Sequence, residues 1–142
     1  MLSTIINNQN FVSIASEVFY FFRSGMRLKT PLDWGSHKQS WNRIHEALEN
    51  GNPEWALLTS WGILDKEAKL KFGNGLKRPG EGRNASICNQ TADVVKFSSA
   101  EKLKLKSAMK KRNRAAHGEE TSVDWSDVDI ILSAAYRLYK SL

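Results

Sequence analysis

Segment 110–118, with the sequence Lys-Lys-Arg-Asn-Arg-Ala-Ala-His-Gly, places a histidine five residues after an arginine in a strongly basic run. Histidine transfers protons near neutral pH, and the planar guanidinium of arginine binds phosphate through paired, charge-assisted hydrogen bonds. Metal-independent RNA cleavage needs these groups. The ribose 2′-hydroxyl must lose a proton, the leaving 5′-oxygen must gain one, and the phosphorane must be stabilised. Arg112 and His117 are therefore the candidate catalytic pair.

The spacing of this pair limits how it can act. On a continuous helix, residues i and i+5 point about 140° apart, whereas Asn113 and His117, at i and i+4, share a face. Arg112 can meet His117 only if its side chain wraps around the helix or if the helix unwinds near Gly118. A single histidine also cannot be base and acid in one step. We therefore expect two copies of the segment to face each other in an isologous homodimer.

The run Arg112–Gly118 resembles the R-x4-6-H motif of the HEPN superfamily, in the common form with a polar residue directly after the arginine. The basic helix before the motif, the glycine after it and the closing amphipathic helix also resemble that family, over roughly residues 98–142. The resemblance implies an all-α helical bundle that dimerises to build a composite, metal-independent ribonuclease site. It implies that Arg112 and His117 are catalytic and that Asn113 helps to orient them.

The resemblance also implies partners. Many HEPN proteins are toxins or anti-phage effectors, and we expect single-stranded or loop RNA, such as tRNA or mRNA, as substrate and a cognate antitoxin or activator as protein partner. In some toxin–antitoxin pairs the antitoxin modifies a tyrosine two residues after the motif histidine. That position is Glu119 here, which puts this mode of control in question.

Two other interpretations of the motif stay open. The first is a non-catalytic module of the same fold that binds RNA or a nucleotide within a defence or toxin–antitoxin complex. The second is a structural domain in which the motif only ends a helix. An enzyme should lose activity but not its fold when His117 is replaced by alanine, whereas a structural domain should only lose stability. A binding module should never cleave RNA and should lose affinity when Arg112 or Lys111 is replaced by alanine.

Positive charge is concentrated in the middle of the chain. The formal net charge is +6, and 14 of the 21 Lys and Arg residues, but only four of the 15 Asp and Glu residues, lie between Lys66 and Arg114. This distribution favours a polyanionic partner, with an ordinary solvated surface as the alternative. The residues expected to contact RNA phosphates are Lys110, Lys111, Arg114, Lys77, Arg78 and Arg83.

Other chemistries find no support in the sequence. Cys88 is the only cysteine, and His37 and His45 lack the i, i+4 spacing of a metal-binding pair. The basic, Gly-rich loop at about 73–83 matches neither a P-loop nor a dinucleotide fingerprint. We therefore expect no metal and no cofactor.

The N-terminal region shows no targeting or membrane signal. The first residues lack the basic and long apolar regions of a signal peptide, and the aromatic stretch 11–22 is too short to span a bilayer. We expect a soluble cytoplasmic protein without membrane contact.

Apolar periodicity predicts an all-α single domain, residues 1–142, with about five helices and no convincing strand. Segment 84–97 is ambiguous and is compatible with a short helix. The predicted helices cover residues 8–23, 36–50 and 53–72, a fourth from Ser98 to Gly118 with Leu103, Leu105 and Met109 towards the core, and a fifth from 124–126 to the C-terminus.

Overall fold

The computed structural model describes residues 37–141, so the predicted helix at 8–23 lies outside the described residues. Within this range the chain is all-α and contains no strand, which confirms the predicted class for this part. The ambiguous segment is helical, so five helices form without the predicted first one. They are α1 (Lys38–Glu49), α2 (Pro53–Phe72), α3 (Arg83–Val94), α4 (Ser99–Ala116) and α5 (Trp125–Lys140), with a 3₁₀ turn at Gly73–Gly75.

Local capping chemistry sets the helix boundaries. Asn52 accepts a hydrogen bond of 3.1 Å from the backbone N–H of Trp55 at the start of α2, and Gly73 ends that helix with φ of +53°. Ser98 and Glu101 form a reciprocal capping box at the start of α4, with bonds of 2.9 and 3.2 Å. These predicted boundaries are confirmed.

Helix α5 begins after a second capping box. Asp124 accepts hydrogen bonds from Ser126 and Asp127, and the bond from the Ser126 side chain is the largest cause of the lowered pKa of the Asp124 carboxyl. The predicted start at 124–126 is therefore confirmed. An ionised Asp124 also suits the positive end of the helix dipole.

One core joins all five helices. Trp41, Trp61, Ile87, Leu105 and Ile131 are buried members of it, one from each helix. The prediction that Leu103 faces this core is wrong, because its side chain is 68% exposed, whereas Leu105 is fully buried. Residues two apart on a helix point about 200° apart, so these two leucines cannot share a face. No helix within residues 37–141 is long and apolar enough to cross a membrane.

Two pairs of contacts show that α4 and α5 run antiparallel. Lys111 near the end of α4 bonds Asp127 in the first turn of α5 at 2.9 Å. Glu101 in the first turn of α4 lies 3.6 Å from Arg137 near the end of α5. The C-terminal end of α4, which carries the motif, therefore lies beside the beginning of α5.

Candidate active site at the end of helix α4

Helix α4 ends inside the motif through a Schellman arrangement. The N–H of Glu119 donates to the carbonyl of Arg114 at 2.9 Å, and that of Gly118 donates to the carbonyl of Ala115 at 3.1 Å. Gly118 has φ of +72°, a conformation that costs glycine little. His117 is the C-terminal cap residue, so α4 ends at the histidine. An end of the helix near Gly118 is one of the two conditions under which the Arg112 side chain could meet His117.

Arg112 lies partly buried on the side of α4 that faces the core. It follows the fully buried Ala108 by four residues, which places the two side chains on one face. Its Nη1 donates to Oδ1 of Asn113 at 3.3 Å, and its buried Nε has no hydrogen-bond partner among residues 37–141. Nη2 forms no hydrogen bond with any residue of the described range, so it remains able to bind a phosphate oxygen.

Asn113 is held by a residue that sequence reasoning missed. Its Oδ1 also accepts a bond of 2.8 Å from Nδ2 of Asn84, in the first turn of α3. Two donors on one oxygen identify which end of the Asn113 amide is the carbonyl and leave its NH₂ group for other partners. No sequence signal indicates this role for Asn84, because the contact depends on how α3 packs against the end of α4.

His117 is exposed at the end of the helix. Its backbone N–H donates to the carbonyls of Asn113 at 3.2 Å and Arg114 at 3.1 Å. Within residues 37–141 its imidazole forms no hydrogen bond, and none joins it to Arg112. The described part of one protomer therefore supplies no group that orients the ring, although the ring is open to RNA or to a second copy of the chain.

The three basic residues that flank Arg112 and Asn113 differ in availability. Lys110 and Arg114 are exposed. Lys111 instead bonds Asp127, which is itself buried and accepts a further hydrogen bond of 3.0 Å from the backbone N–H of Asp124. The geometry gives Lys111 a structural role that joins α4 to α5, beside the RNA contact that the sequence predicts.

The three basic residues predicted in and beside the loop, Lys77, Arg78 and Arg83, differ in their ion-pair partners. Arg83 begins α3 beside Asn84, but its guanidinium bonds Asp65 of α2 at 2.6 Å, and this hydrogen bond raises the pKa of Arg83. Arg78 lies 3.5 Å from Asp93. Asp93 is nine residues beyond Asn84, roughly 14 Å along α3. The Arg78 backbone N–H donates to Ser86 Oγ at 3.1 Å, near the start of α3, but its guanidinium extends towards Asp93 and away from Asn84. Lys77 is exposed in the loop, with no salt bridge in the described part.

The other candidate nucleophile or metal-ligand side chains, Cys88, His37 and His45, are all buried. Burial raises the pKa of the Cys88 thiol to about 12, so it is not a thiolate nucleophile at neutral pH. His37 and His45 are both buried, and they lie 2.6 Å from Glu67 and 2.9 Å from Glu49, respectively. No group of three His, Cys, Asp or Glu side chains suited to a metal occurs within the described range.

Comparison with known proteins adds no relative: no family model matches the chain, and neither the curated proteins nor the solved structures give a match. The HEPN resemblance therefore rests on the motif and its helical setting.

Proposed function

We propose that the protein is a HEPN-type endoribonuclease that cleaves single-stranded or loop RNA without a metal ion. The observation that carries the proposal is the arrangement at the end of α4. A partly buried Arg112 is held by Asn113 and keeps a free phosphate-binding edge, and His117 caps the same helix with an exposed ring. These groups supply phosphate binding and proton transfer, the two functions that the reaction requires.

The proposed reaction uses two copies of the motif. His117 removes the proton of the 2′-hydroxyl, the 2′-oxygen attacks the phosphorus, and the bond from phosphorus to the 5′-oxygen breaks. His117 of the partner subunit, initially protonated, gives its proton to the leaving 5′-oxygen. Arg112 stabilises the charge that develops on the phosphorane. The products are a 2′,3′-cyclic phosphate and a 5′-hydroxyl end.

The proposal includes a dimer because the described part of one protomer lacks a second proton-transfer group in the motif and a partner that orients His117. One imidazole cannot take and give a proton in the same step, and the His117 ring has no orienting partner within residues 37–141. An isologous dimer places a second Arg112 and a second His117 at the same site. A cognate antitoxin or activator belongs to the same proposal, since it can control the enzyme by covering or opening this end of α4.

A non-catalytic RNA- or nucleotide-binding module of the same fold is the second candidate. The imidazole of His117 favours it, because the ring has no hydrogen-bond partner within residues 37–141 and a histidine that acts as a base is commonly oriented by another group. Such a module would use Arg112 and the neighbouring lysines to hold phosphates and would leave the RNA intact.

The test is cleavage of a mixed RNA substrate, such as total tRNA, in excess EDTA by the wild-type protein and the His117→Ala and Arg112→Ala variants. We expect the wild type to produce 2′,3′-cyclic phosphate ends. Loss of the proton-transfer group in His117→Ala should lower the rate by about 10²- to 10⁴-fold. Glu120→Ala is the matched control, because it changes an exposed residue close to the motif.

Circular dichroism must show that all four proteins are folded. Cleavage by His117→Ala at the wild-type rate would overturn the proposal. RNA that stays intact but binds in an Arg112-dependent manner would establish the binding module instead.

A further inference from the structure

Helix α4 carries a regular row of basic side chains that leads to the motif. Lys102, Lys106, Lys110 and Arg114 follow one another at intervals of four residues. Successive members therefore lie about 6 Å apart along the helix axis, and the row is about 18 Å long. Four residues exceed one turn by about 40°, so the row winds around α4 by about 120° in total. We call these four residues the basic row.

The charges of the basic row are not neutralised by the rest of the described chain. No carboxylate oxygen of residues 37–141 lies within 4.0 Å of a charged nitrogen of any of the four side chains. The only acidic residue of α4, Glu101, is used by the capping box and by Arg137. By contrast, Lys111 and Arg83 are each paired with an aspartate.

The basic row is also accessible. Lys110 and Arg114 are exposed, and Lys102 and Lys106 are partly exposed. The row starts in the first turn of α4 and ends within the motif, where Arg114 lies between Arg112 and His117 in the sequence. Arg114 precedes His117 by three residues, so these two positions share a face at the helix end, whereas Arg112 and Arg114 are two residues apart and point about 200° apart. A polyanion that follows the row from its first turn therefore arrives at His117.

We propose that the basic row is a binding track for the phosphate backbone of single-stranded RNA. Successive cations at a regular spacing can neutralise successive phosphates of an extended strand and release their counterions. Contacts of this kind position the nucleic acid without reading its sequence. The track goes beyond the proposed function, since it requires neither cleavage nor an orienting partner for His117.

A membrane surface fits the basic row less well than RNA does. A helix that lies in a membrane interface buries a large apolar face in the lipid. Leu103 is the only large apolar side chain of α4 that is strongly exposed in the described structure. A single leucine beside four cations provides no such face.

The test measures the affinity of a fluorescein-labelled oligouridylate by anisotropy across a KCl series, in EDTA and in a His117→Ala background that preserves the probe. The row variant is Lys102→Ala/Lys106→Ala/Lys110→Ala. The matched control, Lys66→Ala/Lys69→Ala/Lys140→Ala, removes the same number of charges from exposed positions on α2 and α5. Both variants therefore have the same net charge, and circular dichroism checks their folding.

We expect the row variant to bind at least about tenfold more weakly at low salt. Its plot of log K against log salt should be shallower by about 2, because each contact with single-stranded RNA contributes about 0.7 to the slope. The control variant should keep the parent slope. Equal losses in the two variants would overturn the track, and so would row-dependent binding to phosphatidylserine vesicles without binding to RNA.

The outcome is separable from that of the proposed function. Row-dependent RNA binding by a protein that cleaves nothing would support the track and overturn the ribonuclease. Cleavage by the wild type, together with RNA binding that is insensitive to the row, would overturn the track alone.

Discussion

At the scale of single residues, the Asn113 amide oxygen is the centre of the candidate site. It accepts one hydrogen bond from Asn84 of α3 and one from Arg112 of α4. The bond to Asn84 therefore limits rotation of the amide, and the amide in turn limits the positions of the guanidinium. Asn84 is a positioning residue in this arrangement, since it acts on Arg112 only through Asn113.

Replacing Asn84 by alanine is expected to slow RNA cleavage by about fivefold, the equivalent of one hydrogen bond worth about 1 kcal/mol. The Asn84→Ala/Asn113→Ala double variant should be no slower than Asn113→Ala alone, because the two residues act as one unit. Asn89→Ala is the matched control, since it removes a bond of 2.6 Å from α3 to Glu81. Initial cleavage rates of the four variants give the measurement, and strictly additive losses would contradict the positioning role.

The sequence indicates residues whose chemistry is local but not those whose partners come from another helix. Arg112, Asn113 and His117 are recognisable from their types and spacing. The Asn84 contact and the partnership of Lys111 with Asp127 depend on how α3 and α5 pack against α4. Neither contact leaves a sequence pattern, so both become visible only in the folded chain.

At the scale of elements, the helix ends were predictable and one helix face was not. Caps at Asn52, Ser98 and Asp124 satisfy backbone groups with side chains that are near in sequence, so short motifs identify them. The assignment of Leu103 to the core failed because α4 is rich in lysine and has few apolar residues to define a stripe. Segment 84–97 was ambiguous because its buried face includes Ser86 and Thr91, which are polar.

The Schellman end of α4 provides a prediction for Gly118. Alanine at φ of +72° should lower the free energy of unfolding by about 1 kcal/mol, because Cβ disfavours this conformation. Gly51→Ala is the matched control, since Gly51 follows the end of α1 at φ of +65° and, at both positions, no atom of residues 37–141 lies within 4 Å of an added Cβ. Urea denaturation should therefore show similar losses for both variants.

The two glycine variants should differ in cleavage. Strain at Gly118 shifts the backbone next to His117, so Gly118→Ala should slow cleavage more than Gly51→Ala under conditions where both proteins are fully folded. Equal cleavage rates would mean that the end of α4 does not position the histidine.

At the scale of the whole molecule, the five described helices build one core, and that core fixes the end of α4 against α5. The all-α class follows from apolar periodicity, which the sequence contains. The quaternary arrangement does not follow from it, because an isologous contact requires a surface to match itself, and no local pattern encodes that match. The proposed dimer therefore needs its own test.

If each active site needs two His117 rings, a dimer of one wild-type and one His117→Ala protomer should be inactive. After subunits have exchanged at constant total protein, the cleavage rate should then fall with the square of the wild-type fraction. A mixture of wild type with Gly51→Ala, which leaves the motif intact, is the control and should lose little activity. A linear fall with His117→Ala would show that each protomer works alone, and a single imidazole would then have to act with another acid, such as solvent or a group outside the motif.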